Sequence, residues 1–240
     1  MSQSARPGGK QQNAQDANAQ VSRSTIWARR GTPATHWQLG SAIPHGARWT
    51  LLGWQIVPPP VDAGMAAALK GVFARALAAT ARVTYPCSGL PWPDAPGWVE
   101  SGAGMSLGLE LQETMARTIA RLSNRPRRLA LASTRHAEAI EQLFEDAGFP
   151  WWLQAQVALL SPPSAPPPAV DFATVSALLD GRWDAGAEIL QRENVQAILR
   201  PAVDGDALGL LGLAGDLDAL VVAAMAAETV QAGMDWSLSV

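Results

Sequence analysis

The 240 residues hold only three histidines, one cysteine and two lysines, so imidazole, thiol and amine groups, which often carry metal, acyl-transfer and proton-transfer chemistry, are nearly missing. The single cysteine, Cys87, excludes an intramolecular disulfide and gives no sign of an oxidising compartment. Charge is scarce too, at 16% of residues, where about 25% is typical of a soluble domain. A formal net charge of -3 does not suit a dedicated phosphate-backbone binder, which needs clustered cations, so no nucleic-acid partner is expected. The densest basic cluster, Arg121, Arg125, Arg127 and Arg128 followed by Arg135, falls where a helix is expected to end, and attraction to the helix C-terminus accounts for it. The longest apolar stretches, such as Ala219 to Ala227, are too short to cross a bilayer, so no transmembrane segment is expected. The first ten residues lack the apolar centre of a signal peptide, which makes cytoplasmic residence the default expectation.

What the chain does hold is apolar: 48% hydrophobic residues and ten tryptophans spread from Trp27 to Trp236. That content closes a sizeable core in one domain or two small ones. A surface so poor in charge must be covered by small, polar and aromatic groups, and contiguous apolar area of that kind is commonly buried against a partner. The excess of Arg over Lys and the abundance of Ala also fit a GC-rich bacterial genome, which offers a purely compositional account of the same surface.

The pattern along the chain divides it into three. Residues 1–24 are rich in Gln, Asn, Ser, Ala and Gly without an aromatic, so they are expected to be disordered unless a partner holds them. Residues 25–125 form a Trp-rich α+β region. Here Thr25 to Arg30 reads as a short helical turn or an interaction peptide with Trp27 as its anchor, or equally as a surface turn folded back on its own domain. His36 to Leu39 and Trp49 to Val57 read as extended segments, the second apolar on both faces and therefore covered on both sides. Asp62 is a plausible N-cap for a helix from Ala63 to Ala81, with Met65, Leu69, Val72, Phe73, Ala76 and Leu77 as its inward stripe. Arg82 to Cys87 reads as a strand, and Ser88 to Gly104 as an irregular segment containing Trp92 and Trp98, either a ligand-contacting surface or a rigid loop pinned by its own aromatics. The spacing of Leu107, Leu111, Met115, Ile119 and Leu122 predicts an amphipathic helix.

Residues 126–240 alternate strand and helix. Arg128 to Ala132, a helix through Glu138 to Phe144 capped by Ser133 or Thr134, and Leu153 to Leu160 predict a parallel strand-helix-strand crossover. Trp151 and Trp152 stand before its second strand, and adjacent side chains of an extended chain point oppositely, so one of them is exposed, covers a partner or lies under a helix. Residues 161–169 are a Pro-rich spacer and a soft boundary. Beyond a short helix at Phe172 to Leu179, Val195 to Leu199 and Leu208 to Leu213 read as strands joined through Asp204-Gly205-Asp206. Gly209, Gly212 and Gly215 permit close packing, and Asp216 and Asp218 cap and charge the start of a last helix, Leu217 to Ala232. That helix is apolar all round, so it is expected to be buried or shared between subunits.

The stretch from Asn194 to Gly233, with its strand, Asp-Gly turn, Gly-containing second strand and long helix, resembles the closing hairpin and helix of GAF-type sensory domains. The resemblance covers about 40 residues, implies an α+β sheet with a flanking helix and carries no ligand residue with it.

The expected fold is therefore α+β or α/β, a short mixed sheet flanked by helices behind a disordered N-terminal tail and a Trp/Pro-rich first half. His36, His45 and His136 have no metal-ligand spacing, Gly102-Ala-Gly104 lacks the rest of a phosphate cradle, and Cys87 has no neighbouring base. No catalytic, cofactor or metal residue is assigned. The function expected is that of a non-catalytic accessory, adaptor or regulatory subunit of a bacterial cytoplasmic assembly, binding a protein partner or forming a homo-oligomer, with Trp27, Trp92, Trp98, Trp151 and Trp152 as interface anchors. The alternative is a small-molecule sensor or enzyme with an aromatic pocket near Trp49, Trp54, Tyr85 and Cys87.

Overall fold

The computed structural model describes residues 24–31, 46–55, 63–87, 110–114, 129–146, 149, 157–170, 174, 178, 186, 190–201 and 207–239. They form a mixed sheet flanked by helices. In chain order the elements are β1 (Thr25–Arg30), β2 (Arg48–Gln55), α1 (Ala63–Thr80), β3 (Arg82–Cys87), β4 (Glu110–Thr114), β5 (Leu129–Thr134), α2 (Ala137–Asp146), β6 (Ala158–Ser161), β7 (Ala197–Pro201), β8 (Ala207–Gly212), α3 (Leu217–Gln231) and β9 (Asp235–Ser239). The strands lie in the order β4-β5-β3-β6-β7-β8-β2-β1-β9. Neighbours are antiparallel except at the far edge, where β9 runs parallel to β1. The sheet interleaves strands from both halves of the chain, since β2 pairs with β8 and β3 pairs with both β5 and β6.

β2 shows why the centre of the sheet is buried on both sides. Its residues Trp49 to Gly53 are all buried, and alternation sends Trp49 and Leu51 to one face and Thr50 and Leu52 to the other. On the first of two cores, α1, α2 and α3 pack over Ile26, Ala28, Leu52, Val83, Leu160, Leu199 and Leu210. The expected stripe of α1 is the observed one: Leu69, Val72, Phe73, Ala76 and Leu77 are buried, and Met65 packs against them. Phe73 meets Trp54 edge-on at 5.7 Å, Phe144 at 6.1 Å and Phe149 at 5.3 Å, a four-ring cluster that ties α1 to β2 and α2. Ion pairs flank it, Lys70 to Glu145 on the α2 side and Arg75 to Glu228 at 2.6 Å on the α3 side. On the opposite face Val170, Leu178, Leu190 and Val195 cover Trp49, Leu51, Leu159, Ile198 and Leu211.

Three sequence expectations change, and a fourth segment gains contacts. Glu110 to Thr114, expected within a helix from Leu107 to Leu122, is the edge strand β4, because pairing with β5 supplies its backbone with partners and overrides the local helical spacing. Thr25 to Arg30 is a strand held between β2 and β9, neither a helical turn nor a free peptide. The crossover through α2 does join parallel strands, yet β3 stands between β5 and β6 and pairs with both, and the second strand starts at Ala158. The Pro-rich spacer is fastened down: Arg82 Nε donates to the Ala165 carbonyl at 2.8 Å and Arg135 Nη1 to the Pro163 carbonyl at 3.3 Å. Other expectations lie outside the described residues, among them the tail through residue 23, the Asp62 cap, His36 to Leu39, the Arg121 to Arg128 cluster and the Asp204-Gly205-Asp206 turn. The strands on either side of that turn do form the antiparallel hairpin β7–β8.

The β1–β2 ladder is locked by two tryptophans laid over glycines. Trp27 pairs with Gly53, and a Cβ at Gly53 would stand 2.0 Å from the Trp27 ring; a Cβ at Gly31 would stand 1.6 Å from the Trp49 ring. Indole rings cannot yield that space without leaving their packing. Gly53→Ala is therefore expected to destabilise the fold by roughly 1–3 kcal/mol through overpacking, measured by urea denaturation, and a wild-type midpoint would show that Trp27 has room to move.

Candidate functional site

α3 is the element on which the surface features converge. Its sequence contains only two charged residues, Asp218 and Glu228, and both are drawn inward. Arg48 Nη2 lies 2.8 Å from Asp218 and 3.4 Å from Asp216, and also donates to the Gly215 carbonyl at 2.5 Å. Glu228 accepts from Arg75 of α1. The expectation that capping and helix charge fully account for Asp216 and Asp218 is thus corrected. Asp216 occupies the N-cap without a side-chain cap bond, while Asp218 is 8% exposed and held by an arginine of β2. Gly212 makes this approach possible, since a Cβ there would come 2.8 Å from Asp218 Cγ.

With both charges engaged, the outer side of α3 is left to Ala219, Leu220, Ala223, Ala227, Val230 and Gln231, all exposed. Leu220 is 56% and Val230 67% exposed. This inverts the usual surface helix, whose polar side faces water. α3 closes with a left-handed Gly233 at φ +74°, and Met234 N–H bonds the Thr229 carbonyl while Gly233 N–H bonds that of Val230. That C-terminal turn sends the chain directly into β9.

β9 is the sheet edge beside this stripe. It bonds β1 on one side, and of its five residues only Trp236 is even partly buried. Its sequence has no lysine, arginine or proline to discourage further pairing. Between α3 and β9 a cleft of about 210 Å³ is lined by Arg30, Thr50, Asp218, Val222, Trp236 and Leu238, with Ala219, Ala223 and Ala226 along its helix wall. Apolar groups dominate it, and Arg30 stands at its rim. Among the described residues no group of three His, Cys, Asp or Glu side chains is placed to hold a metal ion. On the opposite face, burial pushes the Arg200 guanidinium below its ordinary pKa.

Of the expected anchors only Trp27 is among the described residues. Trp27 is partly buried, packs against the second core and carries the Arg29 guanidinium 5.7 Å from its ring centre. Trp92, Trp98, Trp151 and Trp152 lie outside the described residues. The pocket expected near Trp49, Trp54, Tyr85 and Cys87 is not assembled, because Trp49 belongs to one core while Trp54 and Tyr85 belong to the other, across the sheet. His136 immediately precedes α2 and its carbonyl accepts the first helical bond, from Ile140 N–H; Thr134, expected as a cap, instead ends β5 and accepts from the His136 N–H at 3.0 Å. Missed from the sequence were Arg30, Arg48, Thr50, Trp236 and Leu238. The only signal for the last two was their alternation just after Gly233.

No family model matches the chain. Comparison with curated proteins and with solved structures returns no match. β7–β8 and α3 form a hairpin followed by a long helix, the local arrangement expected of residues 194–233.

The Arg48–Asp218 pair is expected to hold the first turn of α3 at the sheet. In a double-mutant cycle of Arg48→Ala and Asp218→Ala, a coupling of roughly 0.5–1 kcal/mol is expected for this half-exposed pair. Strict additivity in chemical denaturation would remove that role.

Proposed function

We propose that the chain is a non-catalytic accessory subunit that binds protein through the surface made by the outer stripe of α3, the cleft and the open edge of β9. The observation that carries the reading is the inverted polarity of α3. A helix with two charges turns both toward neighbouring arginines and offers leucine, valine and alanine to solvent. Exposed apolar area next to an unprotected strand edge is costly in isolation and favours association. Small residues at Ala219, Ala223 and Ala227 let another element approach closely, while Leu220, Val230 and Leu238 supply side chains of the size that desolvate well.

The cleft supports this better than it supports a small-molecule site. At about 210 Å³ it is below the roughly 300–1,000 Å³ of most ligand pockets, and its buried carboxylate is already engaged by Arg48. It suits one inserted side chain from a protein partner.

Because Leu220 and Val230 are solvent-exposed, the paired substitution Leu220→Glu and Val230→Lys is expected to change folding stability by no more than about 0.5 kcal/mol. The same substitution is expected to abolish crosslinking from a photoreactive amino acid placed at Leu238 in the native cell. Crosslinking that persists unchanged in the stably folded variant would overturn the docking surface.

A further inference from the structure

We propose that the partner at this surface is a second copy of the chain, with β9 pairing antiparallel to its own mate about a two-fold axis through Ser237. The proposal rests on the docking reading and names its occupant. The β9 sequence, Asp235-Trp-Ser-Leu-Ser239, is self-complementary in that register. Ser237 faces its own copy, Trp236 of each copy faces Leu238 of the other, and Asp235 of each faces Ser239 of the other. A two-fold interface uses the same patch on both copies, so each favourable contact occurs twice.

Charge selects this arrangement. The register of β9 on β1 places Arg29 beside Ser239 and Thr25 beside Asp235. Side chains of Arg29, Ser239 and Asp235 share the face opposite the helices, since Ile26, Ala28 and Trp236 pack with the helix-side core. Arg29 and Asp235 are both exposed, lie at opposite ends of the edge, and have no ion pair among the described residues. In the antiparallel dimer, Asp235 of the second copy comes opposite Ser239, two strand spacings or about 10 Å from the Arg29 backbone. Arginine and aspartate side chains together bridge that span. The two copies of Asp235 stand about 13 Å apart along the strands, so the like charges are separated while the unlike ones meet.

On the helix side the same pairing lays Trp236 and Leu238 of both copies into one continuous apolar floor beside the two cleft walls. The Leu220 and Val230 stripes then flank the joined edge, and small residues between them permit close approach. The edge problem of β9 is thereby solved in the way that closed pairing solves it.

Sedimentation of the full chain over a concentration series tests the dimer. The wild type is expected to dimerise, Asp235→Arg and Arg29→Asp are each expected to weaken the dimer by about tenfold by placing like charges together, and the double variant to recover it. A second measurement does not depend on the Arg29 stack over Trp27. In a Cys87→Ser background, Ser237→Cys is expected to give a covalent dimer on mild oxidation, while Asp235→Cys is not. A dimer that crosslinks equally at both positions, or that ignores the charge exchange, overturns this register. A wild-type monomer throughout overturns self-pairing. If such a monomer still crosslinks from position 238 to another protein, the docking reading survives its failure; if it does not, both fall.

Discussion

The seat of α1 over the middle of the sheet is the constraint on which the rest of the structure depends. Phe73, 1% exposed, sits among Trp54, Phe144 and Phe149, and burial of a side chain of that size contributes roughly 1.5–3 kcal/mol. With α1 in the centre, α2 and α3 can only lie on its flanks, and the ion pairs Lys70–Glu145 and Arg75–Glu228 record both neighbours. α3 therefore has α1 on one side and the sheet beneath it. Its other side has no covering element among the described residues, and the sequence places apolar side chains there.

Topology puts the open strand edge in the same place. A strand can be added parallel to its neighbour only after a crossover, which is commonly a helix. β9 runs parallel to β1, and α3 is the crossover that carries the chain from β8 past β2 and β1 to the rim. The helix must consequently lie beside the edge it delivers. The coincidence of a helical stripe and a strand edge that are both bare among the described residues thus follows from the chain order, and one partner can cover both.

The parts of this arrangement that were legible in the sequence are those fixed by local pattern. Both-sided burial of β2, the inward stripe of α1, strand β3, the hairpin β7–β8 and the all-round apolar character of α3 are properties of contiguous residues. What local pattern could not supply was pairing. Only Trp236 and Leu238 are apolar in β9, and its strand state comes from β1. β1 in turn looks like a helical turn until β2 and β9 flank it. Asp218 is an unremarkable cap residue until Arg48, 170 positions away, reaches it. The same limit applies to the pocket expected at Trp49 and Trp54, which are near in sequence but separated by the sheet because five residues along a strand reverses the face.

Rigidity bears on which kind of function the surface can serve. Arg48 fixes the first turn of α3 through Asp218 and the Gly215 carbonyl, Gly212 lets that turn sit close to the sheet, and Gly233 sets the angle at which β9 departs. Stripe, cleft wall and edge are therefore held in one fixed relation at both ends of the helix. Binding costs rise with every side chain and loop that must be ordered on association, so a surface already held in place retains more of the free energy of apolar burial. A pocket that must close around a small ligand gains little from such a frame, whereas a flat, preformed face gains fully. The restraints at the two ends of α3 thus favour docking of another rigid surface, and the most economical rigid surface with a matching edge is the same one repeated.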